Sequence, residues 1–344
     1  LETYERSLQG QVFKSFGVMR RVFETARAAK RRIVFAEGED ERVLRTAQAM
    51  REDLGVSPIL IGRPEVVDSR LEREGLKLVR GKDFDLVNPE NDPRYRDYWM
   101  SYHAIMRRHG VSPDLAKAIL RSNTTAIAAV MVHRGEADSM ICGTFGEYRW
   151  HLNYVSQVLA DADHHPAAAL SLIILESGPL FIADTQVHLE PNGQQLAETT
   201  IAAARHVRRF GIEPKIALCT RSQFGNLDNA TGRAAREALA ILDGMSPNFE
   251  YEGEMNIDTA LEPELRERLF PEGRLKGRAN TLVFADTEAA SATRNVLKSI
   301  AGGLEVGPVL MGMGNRAHIV TPSITARGLL NIAALAGSEV ASYG

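Results

Sequence analysis

Cysteine, tryptophan and net charge are all scarce in this chain. Its 344 residues include two Cys, two Trp and 6% aromatic side chains, and 41 basic residues nearly cancel 44 acidic ones. Cys142 and Cys219 each sit inside an apolar stretch, which excludes a disulfide framework and reads as reduced core thiols in a cytoplasmic protein rather than a nucleophile. A formal charge of −3 argues against a surface that binds nucleic acid by neutralising phosphates. No run approaches the roughly 18 apolar residues that a bilayer span requires, so no membrane partner is expected. The opening residues lack the basic, apolar and small-residue series of a signal peptide. No G-x-G-x-x-G opens a helix after a strand, and no clustered aspartates suggest a catalytic Mg²⁺, which weighs against a hydroxyacid dehydrogenase.

What is present is ordinary for a soluble globular chain: 44% hydrophobic and 25% charged residues. The length exceeds what one core usually serves and predicts two domains or one unit with two lobes. Arg32 to Ala36 reads as a strand, Glu37 to Asp40 as a polar loop, and Val43, Leu44, Ala47 and Met50 as one face of a helix. Residues 58–61, 128–132 and 139–143 read as further strands. After His164-His165-Pro166 the pattern changes, with apolar runs over 170–175 and 180–183 flanking the turn signal Glu176-Ser177-Gly178-Pro179. Helices over 194–210 and 230–242 then alternate with strands over 215–219, 281–284 and 309–311, and an amphipathic helix over 325–336 closes the pattern. Such alternation predicts an α/β fold of two αβα lobes with a mostly parallel sheet. The first lobe is placed at 32–165 plus 315–344, and the second at 166–314.

Ahead of residue 32, Leu8, Val12, Phe16, Met19, Val22, Phe23 and Ala26 recur at roughly helical spacing. The chain opens on Leu rather than Met, so 1–31 reads as a helical lead-in from an upstream domain.

The segment Gly307 to Asn331, GPVLMGMGNRAHIVTPSITARGLLN, resembles the strand and loop that phosphate acetyltransferases write as G-P-x-L-x-G-L-x-K-P-V-N-D-L-S-R-G, four residues, then D-I-V-N. The run FIADTQVHLEPNGQQLAETTIAAARHVRRFGIEPKIALCTRS, Tyr251 to Leu261 and Gly277 to Phe284 resemble further motifs of that family, and the likeness runs from about Arg32 to the C-terminus. It implies the two-lobed architecture shared with isocitrate and isopropylmalate dehydrogenases. In the family, the Ser and Arg of S-R-G bind the phosphate end, and the Asp of D-I-V-N takes the proton of the coenzyme A thiol. Laid on this chain without a gap, those positions are Thr321, Pro322 and Gly328. Acyl transfer to a thiol needs a base near the sulfur and cationic or N–H donors at the developing charge, and these side chains supply neither. A scaffold with lost transferase chemistry, and no catalytic residue, is the expectation. The alternative is an active phosphate acetyltransferase that uses acetyl phosphate and coenzyme A through Thr321, Arg316 or His318.

Tyr102 to Gly110, Ser122 to Thr125 and Arg134 to Gly143 resemble the C-terminal module of the large bacterial NADP-dependent malic enzymes, itself similar to phosphate acetyltransferases. That resemblance implies a module that binds acetyl-CoA or a related acyl-CoA as effector and forms a dimer or larger homo-oligomer. It also implies regulation of an attached malic-enzyme domain, which would hold the NADP and divalent metal while the module itself binds no cofactor. The candidate acyl-CoA and phosphate ligands are then Arg107, Thr124, Thr125, Arg149, Arg221, Ser222, Asn280, Asn315 and Thr321. Each has a plainer reading. Taken singly, Arg107, Arg108 and Arg149 read as solvated residues before they read as phosphate ligands, Asn280 and Thr321 as turn residues, and Glu37 and Asp40 as helix-start residues that complement the dipole. Asp161, Asp163, His164 and His165 offer metal-ligand types but read as a polar loop.

Overall fold

The structure is a computed structural model that describes residues 17–338. Helix α1 spans 17–29 and buries Met19, Val22, Phe23 and Ala26, the spacing noted above; Leu8, Val12 and Phe16 lie outside the described residues. By its contacts the described chain divides into two compact units, one of residues 22–166 and 313–338, the other of 17–21 and 167–312.

The first unit carries a wholly parallel sheet. Its strands are β1 (Ile33–Phe35), β2 (Ile59–Ile61), β3 (Asp85–Val87), β4 (Ser139–Cys142) and β11 (Ala317–Ile319), in the order β11-β4-β1-β2-β3. β1, β2, β4 and β11 are buried throughout, which explains why β1, β2 and β4 read as apolar runs without alternation; β11, with His318 at its centre, does not read as a strand. The chain steps outward from β1 to β2 and β3, then returns to β4 on the other side of β1. The crevice beyond the carboxyl ends of β1 and β4 is therefore a topological switch point, where open parallel sheets place their ligands.

Helices α2 (Glu41–Asp53), α3 (Pro64–Glu74), α4 (Tyr95–Met106), α5 (Pro113–Ser122), α6 (Thr124–His133), α7 (Tyr148–Leu159) and α13 (Ala326–Gly337) belong to this unit. The apolar run 128–132, expected as a strand, lies inside α6. Asn123 caps that helix by accepting the Ala126 amide at 3.0 Å, and Thr125 to Val132 are all buried, so no polar face remains to give the helical period. α13 buries every residue from Leu329 to Gly337 and packs on α2 and β4.

In the second unit the sheet is mixed, with order β10-β5-β6-β9-β7-β8. Its strands are β5 (Ala168–Leu175), β6 (Gly178–Ala183), β7 (Lys215–Cys219), β8 (Glu250–Met255), β9 (Thr281–Phe284) and β10 (Leu304–Met311). β5 and β6 form the hairpin that the turn signal predicted, with Gly178 at a φ of 116° that favours glycine, and this hairpin makes the sheet mixed. β5 runs antiparallel to both its neighbours, while β6, β9, β7 and β8 are parallel. Pro308 interrupts the β10 register on the outermost strand, where its missing donor is tolerated. Helices α8 (Gly193–Arg209), α9 (Ala230–Met245), α10 (Ile257–Leu261), α11 (Pro263–Leu269) and α12 (Thr287–Ser299) complete the unit. Asn192 and Gln195 close a reciprocal capping box at the start of α8.

Candidate functional site

The switch-point crevice of the parallel unit is built on Glu37, the second residue past β1. Its Oε2 accepts the Gly143 amide at 3.0 Å and the Thr144 amide at 3.4 Å, bridging the ends of β1 and β4, while Oε1 has no hydrogen-bond partner. Glycine is needed at 143 for the approach of the next strand: its φ is 102°, and a Cβ there would stand 2.4 Å from the Val320 carbonyl oxygen, just past β11. Burial pushes the Glu37 carboxyl up to about 7, against the pull of the two amides. The expectation that Glu37 serves the start of α2 is corrected, because Asp40 holds that position and caps the Arg42 amide at 2.8 Å.

Three buried groups surround Glu37. The His151 ring, from α7, places Nδ1 4.0 Å from Glu37 Oε1. Nε2 of that ring lies 2.7 Å from the Phe145 carbonyl and so carries the hydrogen, which leaves Nδ1 to accept from the Thr125 hydroxyl at 2.8 Å. Burial lowers the His151 pKa, and the Phe145 carbonyl only partly opposes it. Burial, then the Glu37 charge, raises the Cys142 thiol well above its usual value, so it is no thiolate nucleophile.

Beside this cluster, Arg42 of α2 spends all five guanidinium hydrogens. Nε and Nη2 hold the Asp40 carboxylate at 3.0 and 2.7 Å, Nη1 reaches the carbonyls of Pro322 at 2.6 Å and Ile324 at 3.0 Å, and Nη2 also reaches the Thr144 carbonyl at 2.8 Å. Burial raises Asp40, but the bonds and charge of Arg42 outweigh it and leave the carboxyl below its ordinary value. The loop that carries Thr321 and Pro322 is thus tied to α2 by a cation whose charge is already matched. Thr321 pairs its hydroxyl with Ser323 at 3.2 Å. Gly328 lies in the first turn of α13 and donates its amide to the capping Thr325 hydroxyl at 3.1 Å.

Two cavities accompany these features, one in each unit. In the parallel unit a cavity of about 410 Å³ lies at the carboxyl ends of β1 and β2, with Glu37, Gly62, Arg63, Arg70, Arg121, Thr124 and Phe145 in its wall. In the mixed unit a cavity of about 510 Å³ lies at the carboxyl ends of β7, β8 and β9, walled by Thr220, Arg221, Asn256, Asp258 and Asp286.

Of the candidate acyl-CoA and phosphate ligands drawn from the sequence, Thr124 and Arg221 line these cavities, each in its own unit. The others are placed elsewhere or already engaged. Arg107 and Arg149 are exposed, in the turn after α4 and at the start of α7. Thr125 is bonded to His151, and Ser222 donates to Glu254 at 2.6 Å. Asn280 clasps β7 to β9 by accepting the Lys215 amide and donating to the Glu213 carbonyl. Asn315 donates to the carbonyls of Leu335, Ala336 and Ser338 and faces His318 Nε2 at 2.8 Å, which fixes the end of α13. These contacts engage Thr125, Ser222, Asn280 and Asn315 within the fold. Asp161 and His164 form a local turn that Arg316 joins, and no metal-holding group of three or more His, Cys, Asp or Glu occurs among the described residues. Nor is any single helix there long and apolar enough to cross a membrane.

The Glu37 carboxyl has a measurable consequence. Its folded value of about 7 lies above the ordinary 4.5, so between those limits the native state holds a proton that the unfolded chain has released. Its stabilising contribution is complete below 4.5 and is lost as pH rises through 7. His151, depressed by burial, acts in the opposite sense: it supports stability above the ordinary imidazole value and loses that support on acidification. Glu37→Gln keeps an acceptor for the Gly143 and Thr144 amides and removes the titration. Denaturant unfolding of both proteins across pH isolates Glu37. The variant is expected to gain on order of 1–3 kcal/mol relative to the parent between about pH 5 and pH 7.5. A pH-independent difference would mean that the carboxyl titrates normally.

Comparison with known proteins fits this geometry. Residues 17–337 match the phosphate acetyl/butaryl transferase family. The NAD-dependent malic enzyme of Rhizobium meliloti is 46% identical over 98% of this chain but only 44% of its own length. The NADP-dependent malic enzyme of Escherichia coli is 44% identical over 98% of this chain and 45% of its own. This chain therefore spans less than half the length of these relatives. Among solved structures, a phosphotransacetylase from Streptococcus pyogenes superposes with a TM-score of 0.82 at 25% identity, covering 93% of this chain and 98% of that one.

Proposed function

This chain belongs to the phosphate acetyl/butaryl transferase family, and from that premise we propose that it is a regulatory, oligomer-forming module that binds acetyl-CoA or a related acyl-CoA without transferring the acyl group. Its setting is a cytoplasmic malic enzyme in which an attached half decarboxylates malate oxidatively to pyruvate and holds the nicotinamide and divalent metal. The two malic-enzyme relatives support that setting, and their names differ in the nicotinamide, NAD in one and NADP in the other.

The observation that carries the loss of chemistry is the Arg42 clamp. At the loop of Thr321 and Pro322 the nearby guanidinium has no hydrogen left for a phosphate or an oxyanion, and neither Pro322 nor Gly328 offers a titratable group. An oxyanion donor is worth on order of 100-fold or more in turnover, so a site without cation and base retains little. Binding depends less on those residues. The mixed-unit cavity, with Arg221 in its wall and the starts of α9 and α12 at its edge, offers the cation and amide donors that a coenzyme A phosphate uses. Regulation would follow if acetyl-CoA favoured one arrangement of the assembled protein, with a coupling of ~1–3 kcal/mol to the malate site.

Two measurements test this. Calorimetry of the chain with acetyl-CoA is expected to give saturable binding, and its absence at millimolar ligand while the intact enzyme still responds to acetyl-CoA would sink the sensor reading. A coupled assay of acetyl phosphate with coenzyme A is expected to give turnover at least ~1000-fold below an active phosphate acetyltransferase. Turnover at that enzyme's level would establish the transferase reading in its place.

A further inference from the structure

Glu37 and His151 form a buried pair that the acyl-CoA reading leaves unused, with side chains 3% and 0% exposed. Two amides occupy Glu37 Oε2, so the hydrogen of a neutral carboxyl belongs on Oε1, the oxygen that faces His151 Nδ1 at 4.0 Å. That nitrogen has one lone pair, and the Thr125 hydroxyl holds it at 2.8 Å. Two donors, Thr125 and neutral Glu37, therefore stand at a single acceptor. An ionised Glu37 is no donor, and it leaves a charge in a site closed to water with a lone pair turned toward it.

Both members of the pair grip the same short segment. Glu37 accepts the amides of Gly143 and Thr144, and His151 Nε2 donates to the Phe145 carbonyl at 2.7 Å. Arg42 adds a bond to the Thr144 carbonyl. Past these bonds the hold is light: Phe145 is 58% exposed, and α7 starts at Tyr148 with no side-chain cap from Glu147. Trp150 packs edge-on against the His151 ring, with centroids 4.7 Å apart.

We propose that Glu37 and His151 are a proton-operated latch on residues 143–147: the segment closes over the neutral carboxyl, and loss of that proton to solvent releases the segment so that water reaches the carboxylate. The latch acts at the crevice of the parallel unit, where Phe145 forms part of the wall. It requires neither acyl-CoA binding nor transferase activity.

The direction follows from linkage. Closed, the segment buries Glu37 and holds its carboxyl up to about 7; opened to water, the carboxyl returns toward 4.5. The closed form binds the proton more tightly, so opening increases as pH rises between those limits and levels off above 7. The groups that face Glu37 from other elements do not produce this trend. Arg42 of α2 holds Asp40 ionised, burial raises Cys142 of β4, and His318 of β11, behind that thiol, is bonded to Asn315. On the cavity side Arg63 holds Glu39 ionised, Glu90 is exposed, and Arg70 and Arg121 keep their charge throughout. Protonation of His151, which burial confines to the acid side, breaks the Thr125 bond at Nδ1 and so opposes the latch at low pH.

Hydrogen exchange of the intact chain from about pH 5.5 to about pH 8.5, corrected for intrinsic rates, tests the latch. The Gly143 and Thr144 amides are expected to lose protection roughly tenfold per pH unit up to about pH 7 and to level off beyond, at protection at least about tenfold below that of the β1 and β4 amides. Glu37→Gln keeps an acceptor for both amides and should flatten the profile. Thr125→Val removes the competing donor, leaves Nδ1 to Glu37, and should move the midpoint to higher pH. In Trp99→Phe, Trp150 is the single indole, and its fluorescence should follow the same midpoint. Protection at 143–144 that is independent of pH, or equal to that of the two strands, overturns the proposal on the parent chain alone. An unchanged profile in Glu37→Gln, or an unmoved midpoint in Thr125→Val, overturns the assignment of the latch to this pair.

Discussion

Arg294→Met is expected to destabilise the mixed unit by about 3 kcal/mol, because it leaves a buried carboxylate short of its main partner. Arg294 on α12 is 6% exposed in its side chain and Glu305 on β10 is 8% exposed. Nε donates to Glu305 Oε1 at 2.5 Å and Nη2 to Oε2 at 3.3 Å. Lys298 reaches Oε2 at 3.0 Å and Ser171 reaches Oε1 at 3.3 Å, so the orphaned charge retains two weaker contacts and the loss stays toward the lower end for a broken buried pair. Replacing both partners, Arg294→Met with Glu305→Leu, should recover most of the loss, since the desolvation of two charges disappears with them. Denaturant unfolding of the two variants decides between the ion pair and simple packing: a double variant no more stable than the single one would assign the effect to packing.

Arg42→Met is the counterpart in the parallel unit, with an expected cost of roughly 3 kcal/mol. The substitution strips Asp40 of its cation and leaves the carbonyls of Thr144, Pro322 and Ile324 to find water. The side chain is 31% exposed, so water offsets part of that loss. Hydrogen exchange should show the amides of the loop at 321–325 losing protection well before those of β4 and β11, because the clamp holds that loop and the turn at Thr144 but bonds to neither strand. Uniform loss of protection would mean that Arg42 supports the whole sheet. Arg42→Lys should recover little, since one ammonium cannot serve five acceptor directions.

The strands that sit between helices were legible in the sequence because burial on both faces turns them into short apolar runs between polar loops: 33–35, 59–61 and 139–142 follow that rule. The same rule misread residues 128–132, where a helix enclosed on all sides is as uniformly apolar as a buried strand. The cap at Asn123, three residues ahead of Ala126, was the local signal that separates the two. The site itself was the least legible part. Glu37 takes its partners 106 and 107 residues away, and Arg42 binds backbone carbonyls 280 and 282 residues away, contacts in which the acceptor's side chain plays no part. Pairing with a backbone leaves no pattern of residue types to read. The backbone contacts of Asn280 and Asn315 were illegible for the converse reason, because an amide side chain that satisfies backbone groups has the same letter as one that binds a ligand.

The parallel unit takes its edge strand β11 and closing helix α13 from residues that follow the whole of 167–312. On the ribosome this imposes a wait. At ~5–20 residues per second, the segment that completes the sheet emerges on the order of ten seconds after β4. During that interval β4 presents an unpaired edge and the apolar face of α2 has no cover, so the half-made unit is the stage at which the nascent chain most needs a chaperone.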